Sequence, residues 1–370
     1  MANYKDQLSI LRNKEDDAEK VKLCENLIQE AQRLKDEDLE YEVRKIYMRA
    51  VTLHSEYEKT LANFPWLLAY ADKHEEKFSG KMEYFIILWY YKWTIDKIAS
   101  FSSISRERIL SIAKDMEERF IANGESLKPV HKCLRGIYQE LGEPDIANEF
   151  SLKAETDEWT MLEDCTACQI NSNVSYEAWK GNHKMAIEIA EDLLSGKHTC
   201  ESVPSSTYST VLKCYCYLNK MEKGVDICTK ALTAYGKDKS YLSNYGDVLK
   251  YLAITKNFVE AKEAFINQID IALNNKCDRL VLSFYIGVLI YFHSLVNENK
   301  TELTLPSTIK LPVQHQDNTY QVIDLRNFFD KEVDRITEAF NKRNGNTYYS
   351  SFKSDALGLL KNTRAVSLVR

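Results

Sequence analysis

A chain of 370 residues exceeds what one hydrophobic core normally covers, so several domains or an elongated array are expected. Only 12 Gly and 6 Pro argue against an all-β fold with many tight turns. A net charge of −6, with no basic run longer than two or three residues, argues against a general nucleic-acid or anionic-membrane binder.

The opening MANYKDQLSILRNKEDD has no apolar core of the kind a secretory signal needs, so a cytoplasmic protein is expected. Nine cysteines, an odd number, fit a reducing compartment with mostly free thiols. Residues 15–36 place Val21, Cys24, Ile28, Ala31 and Leu34 at helical spacing. Acids lead and Arg33 and Lys35 follow, the charge order that suits a helix dipole. A second helical stripe over 38–54 carries Leu39, Val43, Ile46, Tyr47, Ala50 and Leu53. A third segment, 57–75, contains Pro65, which either starts a new helix or kinks one.

Residues 82–101 are apolar almost all round, as in a helix buried on every side; the alternative for so many aromatics is a ligand groove. Their greasiest run, Tyr84 to Tyr91, ends at Lys92, far short of the roughly 20 residues of a membrane span. Ser102, Ser103 and Ser105 offer N-caps for a helix over 105–122, which Asn123-Gly124 ends. Residues 1–125 thus read as N-terminal helical hairpins. Residues 1–60 are acidic or balanced, which is wrong for a DNA-reading helix-turn-helix.

From 131 to 275 one unit recurs four times within a segment spanning 126–298. Small residues just after a turn, Ala147, Ala186, Gly224 and Ala261, lie 39, 38 and 37 residues apart. Five residues before each stands a turn former: Gly142, Gly181, Asn219, and Lys256 beside Asn257. Apolar positions precede the turns (Leu134 and Tyr138, Val211 and Tyr215, Val248 and Leu252), with Tyr208 and Tyr245 further upstream. Ala154, Leu193 and Ala231 follow at plus seven; Gln268 breaks the series. Each unit is a helix, a short turn, and a second helix whose small residue lets the two backbones approach. A lone hairpin of this kind leaves apolar surface wet, and stacking hairpins buries it.

This Tyr, aliphatic, Gly or Asn, small, bulky, small series resembles the tetratricopeptide repeat family. The period departs from that family's roughly 34 residues, implying longer helices or loops. The second unit departs too: Asn173 and Glu177 replace an aliphatic and an aromatic, with Tyr176 and Trp179 one position out of register. The resemblance implies an all-α right-handed superhelix, an α-solenoid of helical hairpins. Solenoid curvature makes a concave face, which the first helices of the repeats are expected to line. Asn173, Glu177, Lys213, Asn244 and Lys250 are the candidate residues there for binding a protein or peptide.

An apolar helix over 279–297 is followed by an insertion, 299–320, that reads as a short β-hairpin or an extended loop. Leu303 and Leu305 alternate with polar residues, as do Ile309, Leu311 and Val313, while Pro306 and Pro312 interrupt. The C-terminal part, 321–370, holds a long helix over 322–343, stopped by Asn344-Gly345, and a cap helix over 349–362.

One constellation carries chemistry. Cys165 and Cys168 form a C-x-x-C, and His198 with Cys200 forms an H-x-C. If helices run over about 161–180 and 183–195, they are antiparallel and bring all four residues to one end of the hairpin. Three thiolates and one imidazole match a structural zinc site. Core packing of the cysteines and a redox pair are the alternatives. The remaining Cys214, Cys216 and Cys228 read as core. Asp164, Cys165, Cys168, Cys200 and Pro204, together with Arg343-Asn344-Gly345-Asn346 and Tyr348-Tyr349, look like the pattern of a group of bacterial helical-repeat proteins. That resemblance implies no activity.

Nucleotide-loop, zinc-protease and nucleophile-elbow motifs are missing from the sequence. His131 and Cys133 point apart on a helix, so they make no dyad. The expectation is therefore a non-enzymatic scaffold or adaptor that binds protein or peptide, with no nucleic acid and no membrane. The alternative is a peptide-pheromone-responsive bacterial regulator with a helical-repeat ligand domain.

Overall fold

The computed structural model describes residues 4–78 and 82–368. They are all-α with one small sheet, in two compact units, Met1–Glu163 and Asp164–Arg370. The division falls inside the 126–298 segment, between the first hairpin of the repeated series and the second.

Unit 1 holds α1 (Tyr4–Asn13), α2 (Ala18–Leu34), α3 (Glu37–Leu53), α4 (Tyr57–Lys73), α5 (Glu75–Phe78), α6 (Met82–Ile98), α7 (Arg106–Ala122), α8 (Lys128–Leu141) and α9 (Pro144–Thr156). Side-chain caps fix three starts. Asp17 accepts from the Lys20 N–H at 2.7 Å, Asp36 from Leu39 at 3.0 Å and Ser105 from Arg108 at 3.2 Å. The helix α4 runs through Pro65 without restarting. α6 differs from the expectation that it is buried on every side. Ile87, Leu88, Tyr91, Ile95 and Ile98 face the core, but Phe85, Trp89 and Trp93 form a half-buried strip at helical spacing, with ring centroids 6.3 and 6.2 Å apart.

Unit 2 holds α10 (Thr166–Trp179), α11 (His183–Leu194), α12 (Ser205–Tyr217), α13 (Val225–Tyr235), α14 (Leu242–Ile254), α15 (Phe258–Asn274), α16 (Asp278–Asn297), β1 (Glu302–Thr304), β2 (His315–Gln316), β3 (Thr319–Gln321), α17 (Val322–Asn344) and α18 (Ser350–Gly358). The helices α10/α11, α12/α13 and α14/α15 are hairpins, as α8/α9 is in unit 1. All four turn residues adopt the left-handed conformation: Gly142 at φ 73°, Gly181 at 83°, Asn219 at 54° and Lys256 at 60°. Ala147, Ala186 and Ala261 are fully buried behind those turns. The third hairpin differs: a 3₁₀ turn, Met221–Gly224, precedes α13. There the Tyr251 ring occupies the space a Gly224 side chain would need, 2.7 Å from its Cβ position. Gln268 is buried as well, its amide donating to the Asp238 carbonyl at 3.4 Å.

The core of unit 2 is α16. Its 20 residues are long and apolar enough to cross a membrane by length and composition, which the run at Tyr84–Tyr91 is not; in this fold the helix is mostly buried. It crosses α14 at backbone contact. A Cβ on Gly246 would stand 2.1 Å from the Ser283 carbonyl oxygen, and one on Gly287 2.2 Å from that of Gly246. After α16 the chain makes an antiparallel sheet in the order β1-β3-β2, with Leu303 opposite Tyr320. The alternation at Ile309, Leu311 and Val313 is not a strand. Ile309 and Leu311 turn inward from a loop, and the tight hairpin lies later, at Asp317-Asn318, both left-handed. At the C-terminus, the Arg364 N–H donates to the Ile254 carbonyl at 3.0 Å and the Val366 N–H to that of Thr255 at 3.1 Å. The Arg364 guanidinium also holds Glu222 through two bonds of 2.8 Å.

Candidate metal centre and binding face

The helix α10 starts at Thr166, later than the sequence pattern implies, so Cys165 is its N-cap and Cys168 lies in its first turn. The free N–H groups and positive end of that helix favour negative charge there. Beyond α11, Cys200 is fixed by its N–H bond to the Val203 carbonyl at 3.1 Å. The sulfurs of Cys165, Cys168 and Cys200 all lie within 4.8 Å of one another, a group that could hold a metal ion. Cys168 Sγ and Cys200 Sγ are 3.5 Å apart. Burial and its two sulfur neighbours push the Cys168 thiol up. Burial acts to raise Cys200, but the Ser202 N–H and hydroxyl, the Cys168 thiol and the Val203 N–H together hold it below its ordinary value.

His198 does not join the three sulfurs. Gly196 reverses the chain at φ 80°, and the His198 N–H bonds back to the Asp192 carbonyl at 3.3 Å, tying this part of the loop to α11. Cys214, Cys216 and Cys228 are buried in the core, and all nine cysteines are free thiols.

The binding candidates lie on the first helices of three hairpins. On α10, Asn173 is exposed, whereas Glu177 braces the α10–α11 turn: it accepts from Asn182 at 2.7 Å and pairs with Lys180 at 2.7 Å. On α14, Asn244 donates to the Ser209 hydroxyl of α12 at 2.8 Å, and Lys250 pairs with Asp247 at 2.6 Å. Lys213, on α12, is half-buried. Burial presses its pKa below the ordinary lysine value; Asp247 opposes this, and the positive charges of Lys250 and Arg279 add to it. Among the described residues its ammonium has no hydrogen bond or ion pair. Beside it, burial and the Lys213 charge lower His183, whose ring stacks on Tyr217 at 4.6 Å and whose Nδ1 is buried without a partner. Burial raises the Asp247 carboxyl, but Lys250, Lys213 and Arg279 together hold it below the usual value.

No family model matches this chain. A search of curated proteins found no match either. The functional reading therefore rests on these two groups of side chains.

Sequence reasoning singled out Lys213 and Lys250 but not Asp247, Arg279 and His183, whose charges or rings stand near them in the structure. Asp247 had a signal, standing three residues before Lys250 on one helix face. Arg279 and His183 had none, because the neighbours they share with Lys213 lie on other helices.

Unit 1 has a related cluster. Lys92 is 6% exposed, donates to the Leu162 carbonyl and lies 4.2 Å over the Trp89 ring. Nearby, burial raises Asp96, but Lys97 (at 2.6 Å), Lys92 and Arg135 hold the carboxyl below its ordinary value.

Proposed function

We propose that unit 2 binds a protein or peptide segment along the face carrying Asn173, Glu177, Lys213, Asn244 and Lys250. On this reading it is an adaptor whose tetratricopeptide-like hairpins form a right-handed solenoid and take the partner on the concave side. The observation that carries it is the Lys213 ammonium, half-buried and without an acceptor. Desolvating an ammonium costs several kcal/mol unless an opposite charge and hydrogen bonds compensate, on the order of magnitude known for buried ions. Asp247 supplies an opposite charge without a hydrogen bond, and an incoming carboxylate would add the missing acceptor. The buried His183 Nδ1 on the neighbouring α11 offers the same segment a further polar contact.

The test is a panel of fluorescent peptides of equal length and graded acidic content, titrated with the full chain. Acidic peptides bind tightest, and the Lys213→Ala/Lys250→Ala variant binds them at least about 10-fold more weakly, the range of a lost charge-assisted contact. Its circular-dichroism spectrum stays helical, although its melting temperature falls because Asp247 loses two of the three cations that hold its carboxyl. Equal affinity of wild type and variant refutes the reading.

The three cysteines belong, on the same proposal, to a structural zinc. It joins the start of α10 to the segment after α11. A tetrahedral zinc with Zn–S bonds of about 2.3 Å needs sulfurs about 3.8 Å apart. The observed separations, 3.5 Å for one pair and none above 4.8 Å, bracket that value. Native mass spectrometry of reduced protein finds one zinc per chain, lost in Cys165→Ser and Cys200→Ser; a metal-free wild type refutes the assignment.

A further inference from the structure

We infer that the metal bound by Cys165, Cys168 and Cys200 keeps its fourth coordination position for a ligand from outside the chain. This rests on the zinc reading above and specifies its coordination. Three sulfurs converge, and no histidine, aspartate or glutamate among the described residues joins them as a fourth donor within the same 4.8 Å. His198, the histidine nearest in sequence, has its backbone tied to the end of α11 by the Asp192 carbonyl, and the adjacent Lys197 ammonium holds the Asp192 carboxylate at 2.9 Å. Two residues on, the chain has turned, and the Cys200 N–H is engaged with Val203. The two ends of the H-x-C are thus fastened to different supports.

Part of the cluster reaches solvent. Cys165 is exposed and Cys168 and Cys200 are half-buried, so an outside donor reaches the metal without displacing core. A closed structural zinc site uses four protein ligands, whereas three protein ligands leave a place for water or another donor. With three thiolates the site selects a thiophilic cation, zinc before magnesium or calcium. Its fourth ligand is then a water, an imidazole or a thiolate.

Cobalt(II) is the probe, because it takes tetrahedral thiolate sites and shows their geometry in its visible spectrum. The full chain, reduced with a phosphine and stripped of metal, is titrated with Co²⁺. One equivalent develops thiolate-to-cobalt charge-transfer bands and tetrahedral d–d bands. Added imidazole shifts the d–d bands while the charge-transfer bands persist. His198→Ala leaves spectrum and Kd unchanged within about threefold, whereas Cys200→Ser raises Kd more than about 100-fold, above the range of an outer-shell loss. A spectrum that His198→Ala alters and imidazole does not overturns the open position and leaves the zinc reading standing. A spectrum insensitive to both shows closure by another protein group and overturns it equally. Absence of any Co²⁺ or Zn²⁺ binding by folded, reduced protein overturns both readings.

Discussion

Lys92 in unit 1 and Lys213 in unit 2 are both lysines on the inner parts of helices, and the more buried one is the better satisfied. Lys92 is 6% exposed, yet it has the Leu162 carbonyl and the Trp89 ring face. Lys213 is only half-buried and has neither a hydrogen bond nor an ion pair among the described residues. Burial alone therefore does not single out a binding lysine. What separates the two is whether the fold has supplied an acceptor. Unit 1 uses its cation to hold the Leu162 carbonyl, and unit 2 leaves its cation without an acceptor among the described residues.

The comparison can be broken most directly at Lys92. Lys92→Met removes the donor and leaves a carbonyl without its partner, so thermal unfolding should show a loss of about 2–3 kcal/mol. The same change at Lys213 should act in the opposite direction. Lys213→Met removes a poorly solvated charge and keeps the apolar stem, and a gain of about 1 kcal/mol is expected in chemical denaturation. If both substitutions destabilise alike, the distinction between the two lysines fails.

A pH series sharpens the same contrast. Lys213 has its folded pKa below the unfolded value, so the charged form costs stability while it persists. As pH rises through the folded pKa toward 10.5, the unfolded chain holds more protons and stability rises. That rise should be visible in melting curves between neutral and alkaline pH, and absent from Lys213→Met relative to wild type. Asp247 works at the other end. Its carboxyl is held below 3.8, so its contribution is present above that value and lost as pH falls through the folded pKa. Asp247→Asn should flatten the acid limb.

The smallest effect is expected at Lys97. Its pair with Asp96 has side chains 26% and 50% exposed, so solvent screens it. Lys97→Ala should change stability by no more than about 0.5 kcal/mol; a larger loss would mean that unit 1 depends on this pair as well as on Lys92.

Much of the local structure was legible because it rests on short-range rules. Gly142, Gly181 and Asn219 announce turns by residue type and spacing, and each is left-handed; Lys256 is left-handed too, but there only the spacing and the neighbouring Asn257 gave a signal. Ser105 and Gly345 mark helix ends for the same reason. The three cysteines were legible because antiparallel helices return the chain to its starting end. His198 was not, because the loop after Gly196 is steered by one backbone bond to Asp192, which no periodicity encodes. Likewise Ile309 and Leu311 follow strand alternation, but their apolar side chains enter the core from a loop, and the hairpin turn is set by Asp317-Asn318. The half-buried strip on α6 was hidden by composition: a helix with aromatics all round gives no sign of which row reaches solvent.

The crossing of α14 and α16 has a consequence for how this chain can vary. At Gly246 the obstacle to a side chain is the Ser283 carbonyl, and at Gly287 it is Gly246 itself. Both obstacles are main chain, which every residue type possesses. Trimming a neighbouring side chain therefore opens no room for either substitution. In a saturation mutagenesis experiment with second-site selection, alanine at Gly246 or Gly287 should gain no suppressor from nearby side-chain replacements. Rescue should come only from changes that let one helix slide along the other, so the two positions form a linked pair that drift must cross together or not at all.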